Sequence, residues 1–317
     1  MDTDELATIG YEKCGFDDFV RCLREAGVRQ VIDVRDLPLS RRAVFSKRQL
    51  ASYPKSGNTW LRAFLQNYIL DEGRPQDINR LTLLSTGESG ASLYRPFMAE
   101  PDAPLSAEAA ARLRPAVHRA IAGADPPRVF VKTHNANIDH AGTPLVTAGV
   151  TDRAIYLVRD PRDVAVSYAH HLGIGHDALI DLMTDDRAVS GDNVHKVTEF
   201  VGSWNRHVES WTAQPTWPTM VLRYEDLLAD PADGFGDVIR FLGAEPDRPR
   251  LARAIRHSAF GVLAAQEREL GFVERPETAA LFFRSGRAGQ WREVLSQRQS
   301  RAVEHTQAPQ MRRFAYL

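Results

Sequence analysis

The sequence predicts an α/β protein, with a parallel central sheet and helices on both faces. Three observations point there. Short apolar runs ending in polar residues recur at residues 128–132, 154–158 and 220–223. Segments with apolar residues three and four positions apart alternate with them, and strands alternating with helices favour a parallel sheet covered on both sides. The third is a polar, backbone-permissive stretch at residues 53–60 (Tyr-Pro-Lys-Ser-Gly-Asn-Thr-Trp) that runs directly into an amphipathic helix. Loops that bind ligands occupy that position at the C-terminal edge of such a sheet.

Taken in order, residues 1–49 read as a separate β-α-β unit. Residues 7–10 form a short strand, Phe16, Phe19, Val20 and Leu23 mark a helix face that Gly27 can close, and residues 28–34 form a buried strand. The runs Thr8-Ile9-Gly10-Tyr11, Val31-Ile32-Asp33-Val34-Arg35 and Leu39-Ser40-Arg41-Arg42 through Phe45-Ser46-Lys47 resemble the opening of the DUF488 family, and the likeness ends near Leu50. Asp33, Arg35, Arg41 and Arg42 would then be an anion site or, more plainly, solvated charges on a fused appendage. The second domain spans residues 50–317. Only residues 50–53 look strand-like ahead of the loop, so the strand that carries it is expected to be short.

Beyond the loop, Trp60, Leu61, Phe64, Leu65, Tyr68 and Ile69 form one helical stripe. Residues 71–104 read as long loops with a helical piece at 77–84. Ser106 caps a helix running to about Gly123, which Pro115 bends or divides. Asp160 caps another, with Pro161 at its favoured first position. Residues 173–193 read as a polar loop with a helical piece. Val197, Phe200, Val201, Trp204, Val208 and Trp211 predict a single helix, Phe235, Val238, Ile239 and Leu242 predict one closed by Gly243, and residues 248–257 predict another.

Composition narrows the function. The chain has 317 residues, 43% hydrophobic and 26% charged, enough to bury a sizeable core. Its net charge of −1 gives no global field for nucleic acid or a membrane surface, so any anion site must be built from local basic residues. Cys14 and Cys22 make neither a metal-ligand pattern nor a disulfide framework, which suits a reducing compartment. No charged-then-apolar leader and no long apolar run is present, so a cytoplasmic protein without a membrane span is expected.

The loop at 53–60 has the chemistry of an anion trap. Unpaired N–H groups at a helix N-terminus face the ligand, Lys55 adds a full charge, and Ser56, Asn58 and Thr59 add side-chain donors. It is not the nucleoside triphosphate loop, in which Lys directly follows the second Gly and is followed by a magnesium-binding Ser or Thr; here Lys55 precedes Gly57. Lys132 and His134 follow one predicted strand and Arg159 another. In an open parallel sheet such ends converge on one crevice. Singly, each has a plainer reading: a surface histidine, a helix-end charge network around Arg159, a packing role for Ser167.

Several ordered motifs resemble the sulfotransferases that use 3′-phosphoadenosine-5′-phosphosulfate (PAPS), over about residues 50–295. The loop at 53–60 is similar to their 5′-phosphosulfate loop. Arg159-Asp160-Pro161-Arg162-Asp163 through Ser167-Tyr168 resembles their 3′-phosphate segment, and Lys132-Thr133-His134 the segment bearing the catalytic His. Leu222-Arg223-Tyr224-Glu225-Asp226-Leu227 and Arg284-Ser285-Gly286 with Gly289 and Trp291 resemble two further blocks. The resemblance implies a P-loop-like sulfotransferase fold and sulfuryl transfer from PAPS to a hydroxyl, or an amine, of a small molecule or glycan. It implies His134 as general base, Lys55 stabilising charge on the leaving phosphate oxygen and Lys132 steadying the sulfuryl group. Ser56, Gly57, Asn58 and Thr59 would hold the 5′-phosphate; Arg159, Ser167, Arg284, Ser285 and Gly286 the 3′-phosphate; Trp60 and Phe260 would stack on adenine, with Tyr224 beside it. No metal is called for. Ser285 stands where many relatives carry Lys, Asn58 replaces the commoner Thr, and no dimerisation motif follows Trp291, so no oligomeric state is assigned. The competing readings are a nucleotide kinase and a non-catalytic nucleotide-binding fusion protein.

Overall fold

The computed structural model describes residues 47–317, except 102, 124–129 and 192–193. The β-α-β unit expected in residues 1–46, with Cys14, Cys22, Asp33, Arg35, Arg41 and Arg42, lies outside the described residues.

Five parallel strands make the central sheet: β1 (Lys47–Ser52), β2 (Ser85–Gly87), β3 (Phe130–Thr133), β4 (Thr151–Val158) and β5 (Thr219–Arg223), in the order β2-β3-β1-β4-β5. Pairing aligns their C-terminal ends: Ala51 lies opposite Thr133, Ser52 opposite Leu157 and Val158 opposite Arg223. In β4, Ala154, Tyr156 and Val158 enter one hydrophobic cluster with Trp204, Val208 and Trp211. Successive strand side chains point to opposite faces, so Ile155 and Leu157, also fully buried, pack on the other side. Both faces of the sheet are therefore covered, as the near-continuous apolar run of β4 requires.

The strand leading into the loop differs from expectation. β1 is six residues long, central and paired on both sides, and it starts at Lys47. Its first half carries Lys47, Arg48 and Gln49, all buried. Gln49 donates to Thr151 Oγ1 at 3.4 Å while its Oε1 has no partner, and Arg48 sits beside Asp152, with desolvation lowering its pKa. Hydropathy alone hid this strand; pairing with β3 and β4 overrides it.

Helix α1 (Asn58–Leu70) follows the loop and buries Leu61, Phe64, Leu65 and Tyr68. Helix α2 (Ala107–Ala122) is capped by the Ser106 side chain and runs through Pro115 undivided. Helix α3 (Pro161–Leu172) starts at the Asp160 cap and ends at Gly173, whose φ of 68° suits a left-handed closing residue. Helix α4 (His176–Thr184) is the helical piece of the following segment.

The long stripe from Val197 is a correction. Glu199–Phe200 is a strand paired with Val189–Ser190, and helix α5 (Trp204–Thr212) begins only after Gly202, at φ 65°, and the Ser203 cap. The apolar spacing continues across a break that Gly202 and Ser203 impose. After β5 comes α6 (Tyr224–Ala229), a short helix that the sequence reading did not predict, and then α7 (Pro231–Phe241) and α8 (Arg248–His257) as expected; α9 (Phe260–Leu270), α10 (Trp291–Val294), α11 (Gln297–Thr306) and α12 (Ala308–Arg313) complete the chain. Among the described residues, no helix is long and apolar enough to cross a membrane.

Candidate functional site

A cavity of about 330 Å³ opens at the C-terminal edge of the sheet. It is lined by Lys55, Gly57, Asn58, Thr59, Trp60, Lys132, His134, Arg159, Ser167, Tyr224, Phe260, Arg284, Ser285 and Gly286. Of the described residues singled out from sequence as site residues, only Ser56 lies behind this wall. It is fully buried in the loop, with its Oγ lacking a partner.

The loop between β1 and α1 turns through two residues with positive φ. Gly57, at 108°, lies so close to the Tyr224 ring that a Cβ would sit 2.9 Å from it. Lys55, at 66°, is a rare left-handed lysine of the kind that clusters at functional sites. Its ammonium rests 3.6 Å above the Phe282 ring, and burial, then Arg159, lowers its pKa to about 7. The Lys55 carbonyl accepts from Arg159 Nη1 at 3.0 Å, which ties the loop to the start of α3. Asn58 turns inward and donates to Leu50 O at 2.8 Å, so its amide braces the loop on β1.

Arg159 stacks over Tyr224 at 4.3 Å and also donates to Arg287 O at 3.1 Å; its Nε is buried without a partner. Arg284 bonds Gln290, and its pKa falls through burial and the neighbouring Arg159 and Arg287. Lys132 is lowered by burial against the pull of Glu199. Lys55, Lys132, Arg159 and Arg284 therefore crowd one cavity, with Arg159 lowering the proton affinity of both Lys55 and Arg284, a field that a polyanion relieves. Trp60 meets Tyr224 and Phe235 edge-on at 5.7 and 5.2 Å, and Phe260 packs against Gly286, where a Cβ would overlap its ring. These are flat apolar surfaces beside the cationic cluster.

His134 is held from several sides. Its Nδ1 lies 2.7 Å from Ser52 O; a carbonyl only accepts, so Nδ1 carries the proton and Nε2 keeps its lone pair. Burial, then Lys132, lowers its pKa to about 3, so the ring is neutral at ordinary pH. The backbone N–H of His134 donates to Glu199 at 3.2 Å and its carbonyl accepts from His207 Nε2 at 3.1 Å. The flanking residues are fixed by Glu88, which accepts from Thr133 and, at 2.7 Å, from Asn135. Glu88 also pairs with His118 and Arg114, all three side chains being buried. Burial would raise the Glu88 pKa, but His118, Arg114 and the hydrogen bonds hold it at about 2.

Sequence reasoning missed this support, together with Glu199, Glu274 and Phe282 on the cavity wall. Glu274 makes two bonds to Arg62, at 2.8 and 2.9 Å. Arg62 on α1 sat among apolar stripe residues, and nothing local linked it to a carboxylate over two hundred positions away.

Known proteins are similar to this chain in sequence and in fold. The Sulfotransferase domain family profile matches residues 47–315. A second profile, the Domain of unknown function DUF488, matches residues 15–65 and overlaps β1, the loop and the first half of α1. Sulfotransferase 1B1 from Canis lupus familiaris is 27% identical over 259 residues, covering 78% of this chain and 77% of that protein. Sulfotransferase 1A1 from Bos taurus is 24% identical over 269 residues, covering 83% and 82%. The fold resembles that of mouse sulfotransferase SULT7A1 complexed with PAP, with a TM-score of 0.57, 21% identity and coverage of 85% and 86%. It also resembles retinol dehydratase in complex with androsterone and inactive cofactor PAP, at 0.57, 21%, 84% and 81%. With a family profile spanning the whole described sheet and its loops, the chain belongs to the sulfotransferase family.

Proposed function

We propose that this chain transfers a sulfuryl group from PAPS to a hydroxyl, or an amine, of a small molecule or glycan, with His134 as general base. The observation that carries the reading is the cavity where four cations meet a neutral His134 with a free Nε2. PAPS supplies the sulfuryl group and departs as the 3′,5′-bisphosphate (PAP). The loop N–H groups with Ser56, Gly57 and Thr59 fit its 5′-phosphate, since the buried Ser56 Oγ otherwise has no partner. Arg159, Ser167, Arg284, Ser285 and Gly286 suit the 3′-phosphate, and Trp60, Phe260 and Tyr224 the adenine.

His134 takes the acceptor's proton at Nε2, with Ser52 O and the Nδ1–H fixing the ring. Lys55 balances charge growing on the leaving phosphate oxygen, and Lys132 the charge on the moving group. Phe282, Phe283 and Leu172 give the cavity an apolar side that excludes water around the acceptor. Because β1 begins at Lys47, the transferase domain runs from residue 47 rather than 50, with residues 1–46 as an extension to it, and the cysteine pattern favours a cytoplasmic setting.

The test is incubation with PAPS and a panel of phenols, alcohols, amines and oligosaccharides, read by mass spectrometry. A sulfated product with matching PAP release is expected. PAP binding without turnover on any acceptor would favour a non-catalytic nucleotide binder, and magnesium-dependent ATP turnover without PAPS binding would favour a kinase.

A further inference from the structure

Asp163, on the first turn of α3, is completely buried and does not line the cavity. Its carboxylate points at the segment of residues 284–291, which reaches α10 without regular secondary structure. Oδ2 accepts the Gly289 N–H at 2.6 Å, and Oδ1 accepts the Trp291 N–H at 3.0 Å. Oδ2 also lies 4.0 Å from Arg159 Nη2. That guanidinium in turn donates to Arg287 O, two residues ahead of the first captured amide. Arg284, Ser285 and Gly286 occupy the cavity at the other end of the segment.

A segment outside any ladder must find partners for its half-buried amides elsewhere, and here one side chain supplies two. Both bonds run to a carboxylate, so they are stronger than neutral ones. Gly289 can turn the segment toward it because its φ is 76°.

We propose that Asp163 is a positioning residue that sets selectivity for nucleotides bearing a 3′-phosphate, by clamping residues 284–291 against Arg159 before the nucleotide arrives. The proposal rests on the reading of the cavity as a PAPS site. It assigns Asp163 no contact with the nucleotide. What Asp163 controls is the distance between two halves of one anion subsite, Arg159 between β4 and α3 and Arg284 on the C-terminal segment. Neither half is attached to the other by sheet or helix. Recognition of the 5′-phosphate belongs to the loop after β1 and does not pass through this clamp.

Calorimetric titration of PAP and of adenosine 5′-monophosphate into wild type and Asp163→Asn tests it. The variant keeps the shape but turns an NH2 toward one of the amides. PAP affinity should fall about 10- to 100-fold, and monophosphate affinity by less than about 3-fold. Equal losses for both ligands, or unchanged PAP affinity, overturn the proposal. A wild type that does not prefer PAP over the monophosphate refutes the underlying nucleotide reading instead, and the proposal with it. Hydrogen exchange on free wild type needs no variant. The amides of Gly289 and Trp291 should be protected before ligand is added, and free exchange that only PAP suppresses overturns the clamp.

Discussion

In the proposed reaction His134 and Lys55 face the same cavity with opposite requirements; the surroundings of His134 meet its own, whereas burial and Arg159 work against the charge on Lys55. A base must be unprotonated, and the low pKa of His134 keeps Nε2 available through the neutral range. His134→Ala should lower turnover by about 100- to 10,000-fold while PAP affinity stays near wild type. Normal turnover in that variant removes the base assignment. Lys55 must be charged, and in the free protein it titrates at about 7. Because its pKa is lowered, its charge is present below that value and fades above it. PAP affinity, measured by titration from pH 6 to 9, should therefore weaken as pH rises through about 7, and Lys55→Met should flatten that limb. A wild-type affinity independent of pH would show that Lys55 does not meet the anion as a cation.

At the scale of elements, β1 carries the cavity-lining loop on a strand whose first half is polar yet buried. Gln49 is buried in a central parallel strand with one amide oxygen unpartnered. Gln49→Val would remove that polar atom and supply a β-branched side chain, so it should stabilise by about 1–3 kcal/mol, read from urea denaturation. Destabilisation would mean that Gln49 contributes more through Thr151 than it loses. The same strand shows what the sequence could reveal. Tyr53 through Trp60 were legible because a turn, a charge and a helix start are adjacent in the chain. Arg159 and His134 were legible because strand ends converge in parallel sheets. The length of β1 was not, since its polar half is held by neighbours at residues 130–133 and 151–157. Nor was the start of α5, where apolar spacing ran on across the turn at Gly202. Glu88, Asp163 and Glu274 work through partners remote in sequence, and a single chain read locally carries no sign of such pairs.

Across the whole molecule, the polar groups behind the site couple its architecture to acid stability. His207 is fully buried and bridges Tyr156 OH, at 2.9 Å, to the carbonyl of His134, at 3.1 Å. The carbonyl accepts from Nε2–H, so Nδ1 must accept from the tyrosine, and the ring needs to be neutral for both bonds. Burial lowers its pKa to about 4. The unfolded chain takes up this proton first, near pH 6.5. Stability is therefore full above that pH and declines as pH falls toward 4, by up to about 1.4 kcal/mol per pH unit for each such histidine. His134 adds to the effect in the same direction. The buried Glu88 cannot account for losses this early, because its lowered pKa costs stability only below the usual carboxylate range. Melting temperature should drop between pH 7 and pH 5, and His207→Gln, which stays neutral and can still donate to the His134 carbonyl, should reduce the slope. If the slope is unchanged in that variant, the acid sensitivity arises elsewhere. If wild type melts at one temperature across the interval, the folded protein accommodates a charged ring at this position and the bridge is not what holds the His134 segment.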